Sequence, residues 1–191
     1  RENHDMTYIV FNNEIFGLTK GQTSPTSPKG HESKTQPHGS AKDPIRPLSL
    51  ALTSGASYVA RTAAVNPNQA KEILVEAIQH DGFAHVDFLT QCPTWNKDAK
   101  QYVPYIDIQE SEDYEFDVND RASAMEMMHE AEDALYEGTI LTGKFYQDES
   151  RPSYHEEKRA IGDMPETPTA ELYHDEDHEW ERSYDLIDVH K

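Results

Sequence analysis

Three short apolar runs that alternate with two helix-like segments constrain the fold of this chain most. The runs lie at residues 8–11, 58–62 and 83–89, and their β-branched and aromatic residues favour strands. Between them, residues 45–56 and 66–81 have helical spacing, with a proline near each start and a glycine at or just beyond each end. Strand, helix, strand, helix, strand in this order predicts an α/β domain with a parallel sheet.

The same pattern predicts what each element buries. Residues 8–11 are all apolar, so we expect the first strand to be buried on both faces. In the second helix, Ile73, Leu74, Ala77 and Ile78 share one face, which we expect to pack on the sheet.

Charge and composition exclude several classes of protein. The 191 residues include 36 Asp and Glu against 17 Lys and Arg, a net charge of −19, which argues against a non-specific nucleic-acid binder. No apolar stretch approaches the roughly 18 residues that span a bilayer, and no apolar leader is present, so we expect no membrane contact and a cytoplasmic location. The single cysteine excludes an intrachain disulfide.

The second half of the chain carries weaker signals. Residues 120–137 predict a helix and residues 143–146 a short strand, and the chain then becomes strongly acidic. We therefore expect three parts: the main α/β domain at 1–96, an extension of helix and short strand at 97–160, and an acidic, disordered tail at 161–191.

The segment after the first strand is the main candidate site, since ligands of parallel sheets bind beyond the carboxyl ends of strands. Residues 12–26 combine two asparagines with a stretch rich in Gly, Ser and Thr. Amide and main-chain oxygens suit Mg²⁺, and the main-chain N–H groups of such a stretch can approach a phosphate. On spacing alone, a polar turn at a strand end explains the same residues without any ligand and is the favoured interpretation at this point.

The sequence of this segment resembles the thiamine-diphosphate-binding β subunits of 2-oxoacid:ferredoxin oxidoreductases, which carry a Gly-Leu-Thr-Lys-Gly-Gln-x-Ser-Pro-Thr loop after an Asn-bearing turn. Here that loop is residues 17–26. Three further stretches, 47–62, 82–96 and 143–154, resemble the family in the same order. The resemblance covers roughly residues 6–155 and implies a thiamine-diphosphate-binding fold, of which this chain is the C-terminal portion.

The resemblance also implies roles for individual residues. Asn13 would bind Mg²⁺ through its side chain and Ile15 through its main-chain carbonyl, while Gly17, Leu18 and Thr19 would lie against the diphosphate. No side chain is implied as a general base.

The resemblance further implies that Cys92 is the last of four cysteines that hold a [4Fe–4S] cluster. The other three cysteines and the family's Gly-Asp-Gly segment do not occur in this sequence. One thiolate cannot hold such a cluster alone, so the cluster is expected only in a complete subunit. Without the family context, a lone cysteine is more often a small buried apolar residue.

The implied activity is the coenzyme A-dependent oxidative decarboxylation of a 2-oxo acid, either 2-oxoglutarate or pyruvate, with electron transfer to ferredoxin. The implied partners are an α subunit of the same enzyme and ferredoxin. One alternative is a non-catalytic, acidic interaction or structural protein on a degraded α/β domain. Another is a different thiamine-diphosphate enzyme, against which the loop at 17–26 and Cys92 argue.

Three other polar residues allow two interpretations each. His85 lies within a predicted strand, where we expect a hydrogen-bonded sheet residue rather than a catalytic base. Arg61 and Lys20 could meet anionic substrate groups, or serve as surface charges or salt-bridge partners.

Overall fold

A computed structural model describes residues 2–96 and 107–161 of the chain. The strands are β1 Met6–Asn12, β2 Ile15–Phe16, β3 Gln22–Thr23, β4 Tyr58–Ala63, β5 Phe83–Leu89, β6 Asp107–Glu110 and β7 Thr139–Gln147. The helices are α1 Pro47–Ser54, α2 Pro67–Gln79, α3 Arg121–Glu137 and α4 Tyr154–Ile161. The predicted alternation of strands and helices in an α/β fold is confirmed.

Five strands form one sheet in the order β1-β5-β4-β7-β6, and β2 and β3 form a separate two-stranded hairpin. β1, β5 and β4 run parallel to one another, as predicted. β7 pairs antiparallel with β4 and parallel with β6, so the sheet is mostly parallel rather than wholly so. The carboxyl ends of β1, β4 and β5 therefore lie at one edge of the sheet.

Helices cover both faces of the sheet because β4 alternates its side chains between two cores. Val59 faces the core that α1 and α3 form over one side, whereas Tyr58 and Ala60 face α2 on the other. The larger core joins residues of α1, α3, β4 and β7, including Leu48, Leu52, Val59, Met128, Leu141 and Phe145. Burying apolar residues on both faces is the main stabilising contribution of such a three-layer arrangement.

The helix boundaries follow from local chemistry. The Asn66 side chain accepts a hydrogen bond from the Gln69 N–H at the start of α2, and the Asp120 side chain does the same for Ser123 in α3. Gly55 ends α1 with φ 98°, a left-handed conformation that glycine adopts without a steric penalty.

α1 begins without a cap from its own sequence, because the side chain of Arg46 makes no capping hydrogen bond. Glu132 of α3 replaces it and accepts hydrogen bonds from the N–H groups of Leu48 at 2.8 Å and Ser49 at 3.3 Å, and from the Ser49 hydroxyl at 2.5 Å. Arg46 also pairs with Asp133 on the surface. A buried carboxylate thus fixes α1 to α3.

Two predictions about burial were wrong. β1 was expected to be buried on both faces, but it pairs only with β5 among the described strands, and the side chain of Phe11 is 68 % exposed. Ile78 of α2, expected on the packed face, is 67 % exposed, although Ile73 and Ala77 are buried as predicted. Periodicity identifies a strand or a helix, but it does not tell which strand lies at an edge.

The second half of the chain departs from expectation in one element. The strand predicted at 143–146 is longer than expected: it is the nine-residue β7, which pairs with β4 and β6 in the main sheet. The chain divides into two compact units at residues 154 and 155, and the second is described only as the continuation of α4. The predicted tail at 161–191 lies almost entirely outside the described residues, and the predicted parts 1–96 and 97–160 stay predictions. No helix within the described ranges is long and apolar enough to cross a membrane.

Candidate functional site

The candidate site begins in the turn that follows β1. Asn13 uses its side-chain oxygen to accept a hydrogen bond from the Ile15 N–H at 3.2 Å, and Ile15 accepts one from the Gly17 N–H through its carbonyl at 3.1 Å. Glu14 between them has φ 58°, which is strained for a residue other than glycine. The turn thus places an amide oxygen and a main-chain oxygen at the carboxyl edge of the sheet.

The loop after this turn folds back as the β2–β3 hairpin. Its tip is exposed, and the Leu18 side chain is 100 % exposed. The Thr19 hydroxyl donates to the side-chain oxygen of Gln22 at 2.5 Å, and the N–H of Gly21 donates to the carbonyl of Phe16. Main-chain groups of residues 17–19 therefore lie near the turn, whereas the Leu18 side chain points into open space.

The segment after β5 meets the segment after β1. The Thr90 N–H donates to the Asn12 carbonyl at 2.9 Å, which extends the β1–β5 pairing beyond the strand ends. The buried Asn96 donates through its side-chain amide to the Asn13 carbonyl at 2.9 Å, and its own N–H donates to the Cys92 carbonyl. The sheet thus brings together the two segments that the sequence singles out.

Two glycines allow this close approach. A β-carbon on Gly17 would lie 3.0 Å from the Cys92 sulfur, and one on Gly21 would lie 2.9 Å from the Trp95 ring. Gly21 also has φ 95°, which disfavours any side chain there. The diphosphate loop implied by the family resemblance therefore packs directly against the cysteine segment.

An open cleft of about 440 Å³ lies beside the turn. The Lys34 ammonium lies 5.0 Å from the centre of the Trp95 ring, and Lys20 and Glu32 also line the cleft. No described carboxylate forms an ion pair with Lys20 or Lys34. The cleft therefore presents two ammonium groups beside the Glu32 carboxylate, and the Lys34 ammonium covers the face of the Trp95 ring.

The oxygens of the turn fit a magnesium ion. Amide and carbonyl oxygens each have two lone pairs, so Asn13 and Ile15 keep an acceptor position beyond the hydrogen bond that each one makes. Mg²⁺ takes a few protein oxygens and completes its octahedron with phosphate oxygens and water. The chain supplies two such oxygens.

The sequence supplies one cysteine ligand for an iron–sulfur cluster. Cys92 is a free, half-buried thiol and the only cysteine in the sequence. The described residues bring together no group of three or more His, Cys, Asp or Glu that could hold a metal. A cubane cluster needs four ligands, so this chain alone does not provide its site.

The structure shows the surroundings of His85, and for Arg61 it agrees with the salt-bridge alternative. His85 was expected to be hydrogen-bonded, but its buried Nε2 has no hydrogen-bond partner among the described residues. Burial lowers the pKa of His85, and the field of Arg61 also lowers it while Asp87 opposes the change. Arg61 is no surface charge: its Nε donates to Asp87 at 2.9 Å, with side-chain exposures of 1 % and 0 %. Lys20 lines the cleft, and its role stays a prediction.

Sequence reasoning missed several residues that shape the site. Trp95 and Asn96 lie in the stretch 82–96 that resembles the family but received no role, and Asn12 and Asp87 were not singled out. Asp87 offered a signal, since it is the only acid in β5, where every other residue except His85 is apolar. Arg61 is the only charged residue in β4, and two opposite charges in neighbouring buried strands predict an ion pair.

Comparison with known families places the chain in a class. Residues 1–88 match the family described as the thiamine pyrophosphate enzyme, C-terminal TPP binding domain. Residues 92–163 match the C-terminal region of the pyruvate ferredoxin oxidoreductase β subunit. The chain therefore carries part of a thiamine-diphosphate-binding domain, followed by a region found in one type of oxidoreductase subunit.

Individual relatives narrow the class. The chain is 36 % identical over 84 % of its length to the β subunit of a 2-oxoacid:ferredoxin oxidoreductase from Sulfolobus, and covers 54 % of that protein. It is 45 % identical over 49 % of its length to subunit KorB of 2-oxoglutarate synthase from Archaeoglobus fulgidus, and covers 35 % of it. The chain belongs to the β subunits of the 2-oxoacid:ferredoxin oxidoreductases. It spans about a third to a half of the length of these relatives.

A solved structure agrees with this assignment. The 2-oxoglutarate:ferredoxin oxidoreductase from Magnetococcus marinus, a complex with 2-oxoglutarate, coenzyme A and succinyl-CoA, superimposes with a TM-score of 0.73 at 34 % identity. The match covers 90 % of this chain and 58 % of the other. The predicted fold class and the predicted family are thereby confirmed.

Proposed function

We propose that this chain is the C-terminal portion of a subunit that carries out the coenzyme A-dependent oxidative decarboxylation of a 2-oxo acid and passes the electrons to ferredoxin. The observation that carries the proposal is the meeting of the Asn13 turn with the Cys92 segment at the carboxyl edge of the sheet. 2-Oxoglutarate and pyruvate are the candidate substrates, and the names of the relatives favour 2-oxoglutarate.

The cofactor roles of individual residues belong to the proposal. Asn13 and Ile15 would hold Mg²⁺ through an amide and a carbonyl oxygen, a donor set that suits this ion. Gly17, Leu18 and Thr19 would meet the diphosphate through their main chain, which agrees with a Leu18 side chain that packs against nothing. Thiamine diphosphate supplies the electron sink for decarboxylation when bound.

The contribution of the chain itself is to hold and orient the cofactor. Asn96 joins the two segments, and Gly17 lets the loop approach Cys92. We propose Cys92 as one ligand of a [4Fe–4S] cluster, with the remaining ligands supplied from outside this sequence. A short path between the diphosphate loop and the cluster thiolate would favour electron transfer from one to the other.

The partners follow from the same proposal. An α subunit would complete the active site, and ferredoxin would accept single electrons. With a net charge of −19, the chain's own surface is poorly suited to dock an acidic ferredoxin, so we assign docking to the α subunit. We propose a cytoplasmic enzyme without nucleic-acid or membrane partners. The parts at 1–96, 97–160 and 161–191 would be the cofactor domain, its extension and an acidic tail.

Two substitutions in the complete enzyme test the proposal. Asn13→Ala should lower the affinity for thiamine diphosphate in the presence of Mg²⁺, because it removes one of two oxygens offered to the ion. Asn68→Ala, at an exposed position in α2, is the matched control and should leave this affinity unchanged. Calorimetric titration of cofactor-free enzyme measures both.

Cys92→Ala tests the cluster role separately. It should abolish the visible absorbance of the cluster and lower the iron content, since a thiolate ligand is lost. Normal iron content in Cys92→Ala, together with unchanged cofactor affinity in Asn13→Ala, would contradict the proposal and favour the non-catalytic alternative.

A further inference from the structure

A buried ion pair crosses the sheet beneath the cofactor turn. Arg61 of β4 and Asp87 of β5 are direct neighbours in the parallel register, and the Arg61 Nε donates to Asp87 Oδ2 at 2.9 Å. Arg61 Nη1 also donates to the carbonyl of Ala131 in α3 at 3.1 Å, which fixes the guanidinium from the helix side. Burying such a pair costs desolvation energy that its attraction does not reliably offset. Stability alone is therefore a poor explanation for it.

The second oxygen of Asp87 continues the chain of hydrogen bonds into the turn. Asp87 Oδ1 accepts from the side-chain amide of Asn12, Nδ2, at 3.1 Å. Because a carboxylate only accepts, Asn12 must present its NH₂ group to Asp87 and turn its oxygen the other way. That oxygen accepts from the Glu14 N–H at 3.2 Å and from the Thr26 hydroxyl at 2.8 Å.

The orientation of this one amide matters because the turn is strained. Glu14 has φ 58°, a left-handed conformation that is sterically unfavourable for a residue with a β-carbon. Such a conformation persists only where its surroundings hold it on several sides. Here Asn12 holds the N–H of Glu14, and the Ser27 hydroxyl donates to its carbonyl. With the Asn12 amide reversed, an NH₂ group would face the Glu14 N–H and this support would be lost.

We propose that Asp87, backed by Arg61, is a positioning residue: it fixes the amide orientation of Asn12 and thereby the shape of the turn that presents Asn13 and Ile15 to Mg²⁺ and thiamine diphosphate. The inference rests on the proposed function and assigns a role that the motif itself does not contain. Asp87 does not touch the cofactor in this account, since it acts only through Asn12.

Asp87→Asn in the complete enzyme is the first test. Arg61 would hold the oxygen of the new side chain at position 87, so the NH₂ group of that side chain would face the NH₂ group of Asn12, donor against donor. Asn12 would then reverse and release Glu14. We expect binding of thiamine diphosphate at saturating Mg²⁺ to weaken about tenfold, as for one lost buried hydrogen bond.

The double variant Asn12→Asp/Asp87→Asn is the decisive test. The side chain at position 87 then accepts a hydrogen bond from Arg61 through its oxygen and donates one through its NH₂ group to the new carboxylate at position 12. That carboxylate still accepts hydrogen bonds from the Glu14 N–H and the Thr26 hydroxyl. All the hydrogen bonds are restored, and the negative charge has moved from one strand to its neighbour. We expect affinity within about threefold of wild type, because each donor again meets an acceptor.

Ser57→Ala separates positioning from general loss of stability. Ser57 is buried at the opposite, amino edge of the sheet, where its hydroxyl donates to Asn3 at 2.7 Å and bonds to His80 at 2.7 Å. Its loss should lower the melting temperature while leaving the cofactor affinity unchanged. Titration calorimetry on cofactor-free enzyme and thermal unfolding of each variant give the two readouts.

The possible outcomes separate the inference about Asp87 from the proposed function. Weak binding by Asp87→Asn with recovery in the double variant supports the inference. Unchanged affinity in Asp87→Asn, or weak binding in the double variant, overturns it and leaves the proposed function standing. If Asp87→Asn fails to fold, the double variant alone decides in the same way. Failure of the wild-type enzyme to bind thiamine diphosphate would overturn the proposed function and the inference with it.

Discussion

The contact between Glu132 and the start of α1 allows a quantitative prediction. Glu132 is 2 % exposed and accepts hydrogen bonds from the N–H groups of Leu48 and Ser49. Glu132→Ala leaves both N–H groups buried without an acceptor. Each unsatisfied donor costs about 1–3 kcal/mol, and part of that cost is offset because a carboxylate is no longer buried. We therefore expect the free energy of unfolding to fall by about 3 kcal/mol.

Asp133→Ala is the matched control, since Asp133 is the next residue of α3 and also bonds to the start of α1. Its ion pair with Arg46 is exposed, so its loss should cost no more than about 1 kcal/mol. Urea unfolding followed by circular dichroism gives both free energies. Equal costs for the two variants would refute the idea that Glu132 caps α1.

Glu132 also makes stability depend on pH. Burial raises the pKa of Glu132 above its ordinary value, although the Ser49 hydrogen bonds and the field of Arg61 oppose this. The folded state therefore holds the proton more tightly than the unfolded state does, and this contribution to stability is lost as pH rises through the folded pKa. Glu132→Gln lacks this loss, so its free energy of unfolding should rise relative to that of the wild type as pH rises above about 4, the ordinary pKa of a glutamate. A constant difference over that range would contradict this reasoning.

Two further predictions concern the site. Gly17→Ala should cost about 1–3 kcal/mol of stability by overpacking against Cys92, and adding Cys92→Ala should recover part of that cost because the sulfur is gone. If the losses in free energy of unfolding, measured in urea, are strictly additive, the side chains at positions 17 and 92 do not clash. Asn96→Ala should weaken binding of thiamine diphosphate with Mg²⁺ in the complete enzyme, since the Asn13 carbonyl loses its donor. Unchanged affinity by titration calorimetry would exclude Asn96 from the site.

Much of the fold could be predicted because it depends on local patterns. The period of apolar residues located β4, α2 and β5, and the Asn66 cap with Pro67 located the start of α2. The parallel pairing of β1 with β5, which the structure shows, places the segments after Phe11 and Leu89 at one edge, where the Thr90 N–H donates to the Asn12 carbonyl.

The remaining features depend on partners that lie far apart in the sequence. The edge position of β1 follows from which strand pairs with β5, and no local window contains that information. The same holds for Asp87, whose role depends on neighbours 26 residues earlier in Arg61 and 75 residues earlier in Asn12. The family resemblance implied the proposed ligand residues, but it did not imply the buried groups behind them.

The open edge of β1 has a practical consequence for anyone who produces this stretch of chain alone. Its main-chain groups face no further described strand, and Met6, Tyr8 and Phe11 are exposed beside them. Such an edge adds further strands readily and promotes aggregation. The net charge of −19 keeps copies apart, but only while counterions are scarce, because the screening length falls to about 10 Å at 0.1 M salt. Turbidity should therefore rise as sodium chloride is added, so dilute buffers are the better choice for purification.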